Sequence, residues 1–205
     1  MKLLRPAILV TLLFIVFFGF GFPALMYGIG RAFPNQAEGS LLKDKSGKVI
    51  GSALIGQTFT KPEYFHSRPS AAGNGYDANN SGGTNLGPTS DKLINGIHKK
   101  LPDGKDDPGN FDGIVDLAKA YRLENNLPPN EPVPADAVTR SASGLDPHIS
   151  LENATLQAPR VAAARHMTED QVKALIQANT DPRFLGIFGE PAVNVLKLNL
   201  AVDGH

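Results

Sequence analysis

The sequence contains no cysteine among its 205 residues. This absence excludes a disulfide scaffold, a cysteine-ligated zinc site, an iron–sulfur cluster and a cysteine nucleophile. The sequence also lacks an excess of either charge, because 20 lysines and arginines balance 20 aspartates and glutamates. General nucleic-acid binders normally carry a basic excess, so we predict no nucleic-acid partner. The length allows one domain with an appendage, or two very small domains.

The N-terminus carries the strongest signal, an uncharged run over residues 6–30 that Lys2 and Arg5 precede and Arg31 follows. As a helix this run would be roughly 37 Å long, enough to cross a hydrocarbon core of about 30 Å. Pro23 predicts a kink or a weak point in it. The sequence therefore predicts a transmembrane helix within residues 1–31.

A cleaved signal peptide is the alternative for this segment. The apolar core of a signal peptide is typically about 7–15 residues, and this run is longer, so we predict a retained anchor. Lys2 and Arg5 predict a cytoplasmic N-terminus by the positive-inside rule. Residues 32–205 would then form an extracytoplasmic domain, and the chain would be a single-pass protein of the cell's inner (plasma) membrane.

The pattern of residues 32–205 predicts one mixed domain of the α+β class. Ser40–Leu42 and Val49–Phe59 have strand-like patterns with a turn at 44–48. Helices are predicted near 91–100, 111–126, 151–166 and 169–178. Alternating apolar residues predict a strand at 192–202.

Two helix starts have specific signals. Ser150 is a predicted N-cap, and Thr168 with Gln171 fits a capping box. Pro159 leaves two alternatives for residues 151–166, one helix or two short ones, because proline is best tolerated in a first turn.

The 21 glycines and 16 prolines indicate many turns and ordered loops. Residues 61–90 concentrate glycine, asparagine, serine and proline, interrupted by Tyr64, Phe65 and Tyr76. We predict an ordered loop fixed by its aromatic side chains rather than a linker.

Ser143, Asp146 and His148 supply all the chemical types of a serine-hydrolase triad within a few residues. Triads usually join distant segments, and the Gly-x-Ser-x-Gly nucleophile elbow is absent from the sequence. A turn leading into a helix is the competing interpretation, and a membrane-anchored or secreted hydrolase is the alternative function.

Phosphate and metal motifs are not recognisable. The sequence lacks a P-loop, the aspartates of residues 103–112 do not have the spacing of a calcium loop, and the histidines show no ligand pairing. We therefore assign no catalytic, cofactor-binding or metal-binding residue.

The sequence resembles the family of C subunits (KdpC) of the Kdp potassium-transporting P-type ATPase. The resemblance covers nearly the whole chain except about 99–132, which is longer than expected. Its blocks are the N-terminal span followed by 51–57 with Phe59, 64–72, 76–78, 81–89, 141–150, 157–162 and 189–196.

The resemblance implies an accessory, non-catalytic subunit needed for assembly of a high-affinity potassium uptake complex. Its implied partners are a channel-like potassium-translocating subunit, a P-type ATPase subunit and a small membrane peptide. The complex would handle ATP, magnesium and potassium. The family is also described as a catalytic chaperone that raises the ATP affinity of the ATPase subunit, but an outer domain cannot touch cytoplasmic ATP. We expect it to dock over the outer face of the channel-like subunit, where it would brace that subunit or shape potassium entry.

The loop 76–90 and the segment 141–150 are the candidate docking surfaces, because loops can present main-chain groups to a partner. Internally bonded turns are the alternative for both. Arg160 and Arg165 could pair with a partner's carboxylate, or they could have an internal or solvated role. The candidate docking or structural residues are Tyr76, Asp77, Gly82, Gly83, Asn85, Ser143, Asp146, His148, Gln157 and Arg160.

Overall fold

The computed structural model describes residues 3–204. It begins with α1 (Leu4–Val16), a π-helical turn (Phe17–Gly21) and α2 (Phe22–Gly30). Together they form one helix of 27 residues with a mean hydropathy of 2.5, about 40 Å long and so able to cross a membrane by length and composition. Among residues 3–204, nothing buries the most apolar part of this helix, whose buried share is 0%.

The predicted weak point near Pro23 is a local change of helix type rather than a break. Proline has no N–H, so the carbonyl of Gly19 loses its usual helical partner. The π turn lies directly before Pro23, and the N–H of Phe22 bonds to the carbonyl of Phe17, five residues back. The helix thus continues past the proline in a widened turn.

A short helix and a hairpin follow the apolar helix. They are α3 (Pro34–Ala37), β1 (Leu41–Lys43) and β2 (Val49–Ser52), with the two strands antiparallel. Asp44 closes the turn, because its Oδ1 accepts from the N–H groups of Ser46 at 2.8 Å and Lys48 at 3.0 Å. The predicted hairpin is confirmed, but its second strand ends seven residues before Phe59.

A three-stranded antiparallel sheet forms the centre of the α+β domain. Its order is β3 (His148–Ser150), β5 (Ala192–Asn194) and β4 (Thr180–Asp181). Three helices complete the core: α7 (Leu151–Arg165), α8 (Glu169–Ala178) and α9 (Val195–Val202). The core cluster consists of Phe65, Ile149, Ala154, Ala158, Val161, Ala162, Val172, Ile176, Val193, Val195 and Leu198.

The prediction of a strand over 192–202 is wrong for most of its length. The strand ends at Asn194, whose side chain accepts from the N–H of Lys197 at 3.1 Å and so caps α9. The alternation of leucines fitted a strand, but the capping asparagine and the buried pair of Val195 and Leu198 fit a helix. Asn199, a polar residue within this apolar run, is buried.

The helix starts predicted for α7 and α8 are confirmed. Ser150 accepts from the N–H of Asn153 at 3.0 Å, and Thr168 and Gln171 bond reciprocally in a capping box. Residues 151–165 form one helix, the first of the two alternatives. Pro159 is exposed within it, so water can solvate the carbonyl that the proline leaves without its helical partner.

Smaller elements lie between the hairpin and the sheet. They are a 3-10 turn (Ala78–Asn80), α4 (Asp91–Asn95), α5 (Ile114–Glu124) and α6 (Ala135–Val138). The helix predicted over 91–100 ends early at Gly96, which has φ 78°. The remainder of residues 61–90 is the predicted irregular, ordered loop.

Candidate functional site

The candidate docking segments 76–90 and 141–150 lie against each other and form one surface. The N–H of Gly82 and the hydroxyl of Ser81 both donate to the carbonyl of Ser143, each at 2.9 Å. These bonds satisfy main-chain groups that irregular segments would otherwise leave unpaired. Internally bonded turns, the alternative to docking surfaces, account for these bonds. Docking through the exposed edges of the two segments stays a prediction.

Two glycines allow this close approach. A Cβ on Gly83 would lie 3.0 Å from the carbonyl oxygen of Ala142, and one on Gly144 would lie 2.8 Å from the nitrogen of Ala72. Gly144 also has φ +68°, a conformation that costs other residues free energy. Its carbonyl accepts from the hydroxyl of Ser70 at 2.7 Å, which ties a third segment to the surface.

Tyr76 holds the loop from inside. Its hydroxyl donates to the carbonyl of Arg68 at 2.9 Å, and its N–H donates to Ser70 Oγ at 2.9 Å. Burial raises the pKa of Tyr76 to about 12, so the phenol keeps its proton at neutral pH. The aromatic anchoring predicted for this loop is therefore confirmed at Tyr76.

Asp77 and Asn85 serve the loop differently. The Asp77 carboxylate caps the 3-10 turn, accepting from the amide of Asn80 at 2.5 Å and the N–H of Asn79 at 2.9 Å. These two bonds lower the pKa of Asp77. Asn85 is exposed and has φ 52°, so it turns the chain and leaves its amide available to a partner.

A row of charged side chains crosses the sheet from β3 to β4. Arg68 Nη1 lies 2.7 Å from Asp146 Oδ2, and Asp146 Oδ1 accepts from the N–H of His148 at 3.0 Å. His148 Nε2 lies 3.2 Å from Asp181 Oδ2, and Lys197 Nζ lies 3.6 Å from Asp181 Oδ1. The cluster joins the 61–90 loop, β3, β4 and α9 through alternating charges.

The pKa values in this cluster follow from its geometry. Burial alone would raise the pKa of Asp146, but hydrogen bonds from His148 and Arg68 outweigh it and hold that pKa at about 2. The bond to Asp146 raises the pKa of His148 against the effect of burial, and Asp181 adds to the rise. The two carboxylates therefore stabilise the protonated form of the His148 ring more than water does.

Gln157 and Arg160 hold residues 62–66, an irregular segment that begins with a turn at Pro62 and Glu63 and that we call the strap. Arg160 Nη1 donates to two strap carbonyls at 2.6 and 2.9 Å. The amide of Gln157 bonds to both the N–H and the carbonyl of His66, at 2.7 and 3.1 Å. The side-chain amide of Asn199 bonds in the same way to the N–H and the carbonyl of Phe65, at 2.8 and 3.0 Å. Side chains from helices thus make the main-chain hydrogen bonds of residues 65 and 66 that a neighbouring strand would otherwise make.

The side chains that hold the strap are buried inside the domain. Gln157 is 1% exposed and Arg160 is 8% exposed, which leaves neither free to meet a partner surface. Arg160 also bonds through Nε to Asn125 Oδ1 at 3.0 Å, while Arg165 pairs with Asp203 at 2.6 Å. The internal alternative is therefore the observed one for both arginines.

An open groove of about 650 Å³ borders the same surface. Its walls include Arg68, Arg140, Ser141, Ser143 and Asp146, together with some apolar residues. The guanidinium and hydroxyl groups suit carboxylate or carbonyl groups of a bound segment, and the apolar residues suit apolar side chains between them.

His98, Asp112 and Asp116 form a cluster whose ligand atoms lie within 4.8 Å of one another. The sequence offered no sign of it, because the three residues are brought together only by folding. Asp116 Oδ2 already accepts from the N–H of Gly113 and lies near His98 Nε2, both at 2.9 Å. The contacts of Asp116 in the first turn of α5 thus explain this cluster without a metal ion.

The family model described as "KdpC: K+-transporting ATPase, c chain" matches residues 4–204. Relatives called potassium-transporting ATPase KdpC subunit are 51% identical in Mycobacterium bovis (98% of this chain, 97% of the relative), 52% in Caulobacter vibrioides (98%, 93%) and 44% in Koribacter versatilis (99%, 95%).

The chain belongs to the KdpC family. The resemblance inferred from its sequence blocks is confirmed, and the match includes the apolar helix. KdpC is an accessory subunit of the Kdp potassium-transporting ATPase and is not itself the catalyst.

The alternative of a hydrolase is wrong, and the local geometry agrees with the KdpC assignment. The Ser143 hydroxyl accepts from the N–H of Leu145 at 3.1 Å. Both ring nitrogens of His148 face carboxylates, Nδ1 at 3.7 Å from Asp146 and Nε2 at 3.2 Å from Asp181. Among residues 3–204, His148 therefore offers Ser143 no general base.

Several residues of this site were not predicted. Arg68, Asp181 and Lys197 complete the charged cluster, and Asn199 completes the strap's support. Each contacts a segment far away in sequence, so spacing carried no signal of the pairing. The one available hint was Asn199, a polar residue amid an apolar run.

Proposed function

We propose that the α+β domain lies outside the cytoplasm and docks over the channel-like potassium-translocating subunit of the complex, which it braces. A P-type ATPase subunit and a small membrane peptide complete the proposed assembly. The chain itself is proposed to bind none of the cofactors, since ATP, magnesium and potassium are handled by the complex.

The uncovered apolar helix carries this proposal. A 27-residue helix with 0% of its apolar window buried needs lipid or partner helices around it, and the chain belongs to a family of transport subunits. Lys2 and Arg5 support an inside start for the helix. A single crossing then leads residues 32–205 to the outside.

The same topology supports the view that this chain does not contact ATP. A domain outside the membrane has no access to cytoplasmic nucleotide, and the sequence has no P-loop. Crosslinking the intact complex with a photoreactive labelled ATP analogue tests this view. Label on the ATPase subunit alone is expected, and label on this chain would overturn the proposed division of labour.

The assembly is tested by purifying the tagged full-length chain in mild detergent from native membranes after potassium starvation. Mass spectrometry should identify a channel-like subunit and a P-type ATPase subunit in a fixed ratio to the chain. An unrelated membrane complex purified in the same detergent is the control. Recovery of the chain alone, while the control complex stays whole, would refute the proposed function.

A further inference from the structure

Residues 183–190 form an exposed apolar hairpin that we call the knob. The exposed fractions of its four large side chains are 72% for Phe184, 73% for Leu185, 73% for Ile187 and 61% for Phe188. These residues fall within five consecutive positions, and they project between β4 and β5. Soluble surfaces rarely gather large apolar side chains so densely without an interaction to make.

The knob has a defined backbone. The N–H of Phe184 donates to the carbonyl of Phe188 at 2.8 Å, and the reverse bond is 2.9 Å long. Arg183 and Glu190 form an ion pair of 2.5 Å at its base. The apolar side chains are thus presented on a closed hairpin rather than on an open loop, which lowers the entropy lost on binding.

Leu185 adds a sign of strain. It has φ 52°, a left-handed conformation that costs a leucine on the order of 1 kcal/mol or more. An asparagine would fit this position with less strain and less apolar exposure. A strained, exposed leucine contributes nothing evident to the stability of the domain, so its contribution is expected elsewhere.

We propose that the knob inserts into an apolar pocket on the extracytoplasmic face of another subunit of the potassium-transporting complex. This inference rests on the proposed function, because it needs the domain on that side of the membrane. Its side chains would act as the buried anchors of the interface, with the charged pair at its rim.

The charges around the knob disfavour a lipid surface as its occupant. Asp181, Arg183 and Glu190 flank it, which gives a net charge of −1 over residues 181–190. Segments that bind anionic bilayers carry lysine and arginine beside their apolar residues. The knob carries one arginine, and Glu190 pairs with it.

A second copy of the chain is also a poor occupant. The knob is convex, so its partner must supply a concave apolar surface. The groove along Arg140–Pro147 carries guanidinium, carboxylate and hydroxyl groups among its apolar residues, and a smaller cavity places His66, Glu124 and Gln157 beside apolar residues such as Leu117. Either one would set charged or amide groups against four apolar side chains that cannot pair with them.

Photo-crosslinking in the assembled complex tests the proposal. Phe188 is replaced by p-benzoylphenylalanine in the tagged full-length chain, and the complex is irradiated in native membranes before purification. Leu123, which is 71% exposed on α5, receives the same replacement as a control. A crosslink from position 188 to another subunit of the complex, much stronger than from position 123, is expected.

The outcomes separate this proposal from the proposed function. Partner subunits that co-purify without a crosslink from position 188 would overturn the knob as an anchor while leaving the assembly intact. A crosslink to lipid or to a second copy of the chain would also overturn it. If the unmodified chain brings down no partner, the proposed function fails and the knob proposal fails with it.

Two substitutions give a quantitative check. Ile187→Glu should lower the recovery of partner subunits at least about tenfold, whereas Leu123→Glu, at a similarly exposed position, should leave it unchanged. Leu185→Asn should also lower recovery, while the melting temperature of the full-length chain stays the same or rises. Unchanged recovery with Ile187→Glu and Leu185→Asn would refute the proposal, and the melting temperature shows that any loss is not a loss of folding.

Discussion

At the residue scale, Arg160 is one of the buried side chains that hold the strap through several hydrogen bonds. It is 8% exposed and donates to two strap carbonyls, to Asn125 and to Gln157. Arg160→Ala removes the side-chain donor from both strap carbonyls and from Asn125, while Gln157 keeps the N–H of His66. We therefore expect it to destabilise the chain by about 3 kcal/mol or more. Thermal unfolding of the full-length chain in detergent, followed by circular dichroism, measures this.

A surface cation provides the comparison for Arg160. Lys173 pairs with Glu169 at 3.3 Å on the exposed side of α8, and such pairs are worth roughly 0.5 kcal/mol. Lys173→Ala should therefore change stability little. Equal losses for Lys173→Ala and Arg160→Ala would show that the buried network does not hold the strap.

His148 predicts a dependence of stability on pH. Its pKa is raised above 6.5 in the folded state, so its stabilising contribution is full below pH 6.5 and is lost as pH rises through the folded pKa. The ring is 34% exposed, so water screens the effect to at most about 1 kcal/mol. His148→Gln should flatten the free energy of unfolding over this pH range, and an unchanged profile would contradict the charged cluster.

At the element scale, Asn194 joins β5 to α9. Its Oδ1 accepts from the N–H of Lys197 at 3.1 Å, and its amide donates to the carbonyl of Ala53 at 2.8 Å. Asn194→Ala loses both bonds and should cost about 2 kcal/mol. Asn194→Ser keeps an oxygen for the cap and should cost about half as much. Equal losses in the same unfolding assay would show that the cap contributes little.

The elements that the sequence predicted well are those with local signals. Ser150 and the Thr168–Gln171 capping box lie next to the helices they begin, and the turn at 44–48 lies between the strands it joins. The strand predicted over residues 192–202 was wrong because the leucines alternate with a period of two, which hid the helix cap at Asn194. The change from strand to helix within this apolar run depends on one polar residue.

Other features depended on contacts between distant segments. The strap has no regular structure of its own. The side chains that bond to it are those of Gln157, Arg160 and Arg165, which are 91 to 102 residues away, and of Asn199. The charged cluster also needs Asp181 near His148, which the pairing of β3 and β4 with β5 provides. Fold class and family were therefore readable from sequence, whereas the function of single polar residues was not.

At the scale of the whole molecule, the chain has two unlike parts. The apolar helix makes its regular bonds internally, and among residues 3–204 its most apolar window is 0% buried. The domain is held by a small core and by side-chain bonds to irregular segments. Such a helix anchors and orients the chain, and the domain presents a fixed surface. That division suits a subunit that braces a partner rather than one that performs chemistry.

The proposed topology can be tested directly because the sequence has no cysteine to interfere. Lys105→Cys places a single thiol on an exposed turn, where the native side chain is 80% exposed. A membrane-impermeant maleimide should label it in intact spheroplasts, since residues 32–205 are proposed to lie outside. Leu3→Cys, before the helix, should be labelled only after permeabilisation. The reverse pattern would place the domain inside, beside the nucleotide, and would remove the physical objection to contact with ATP.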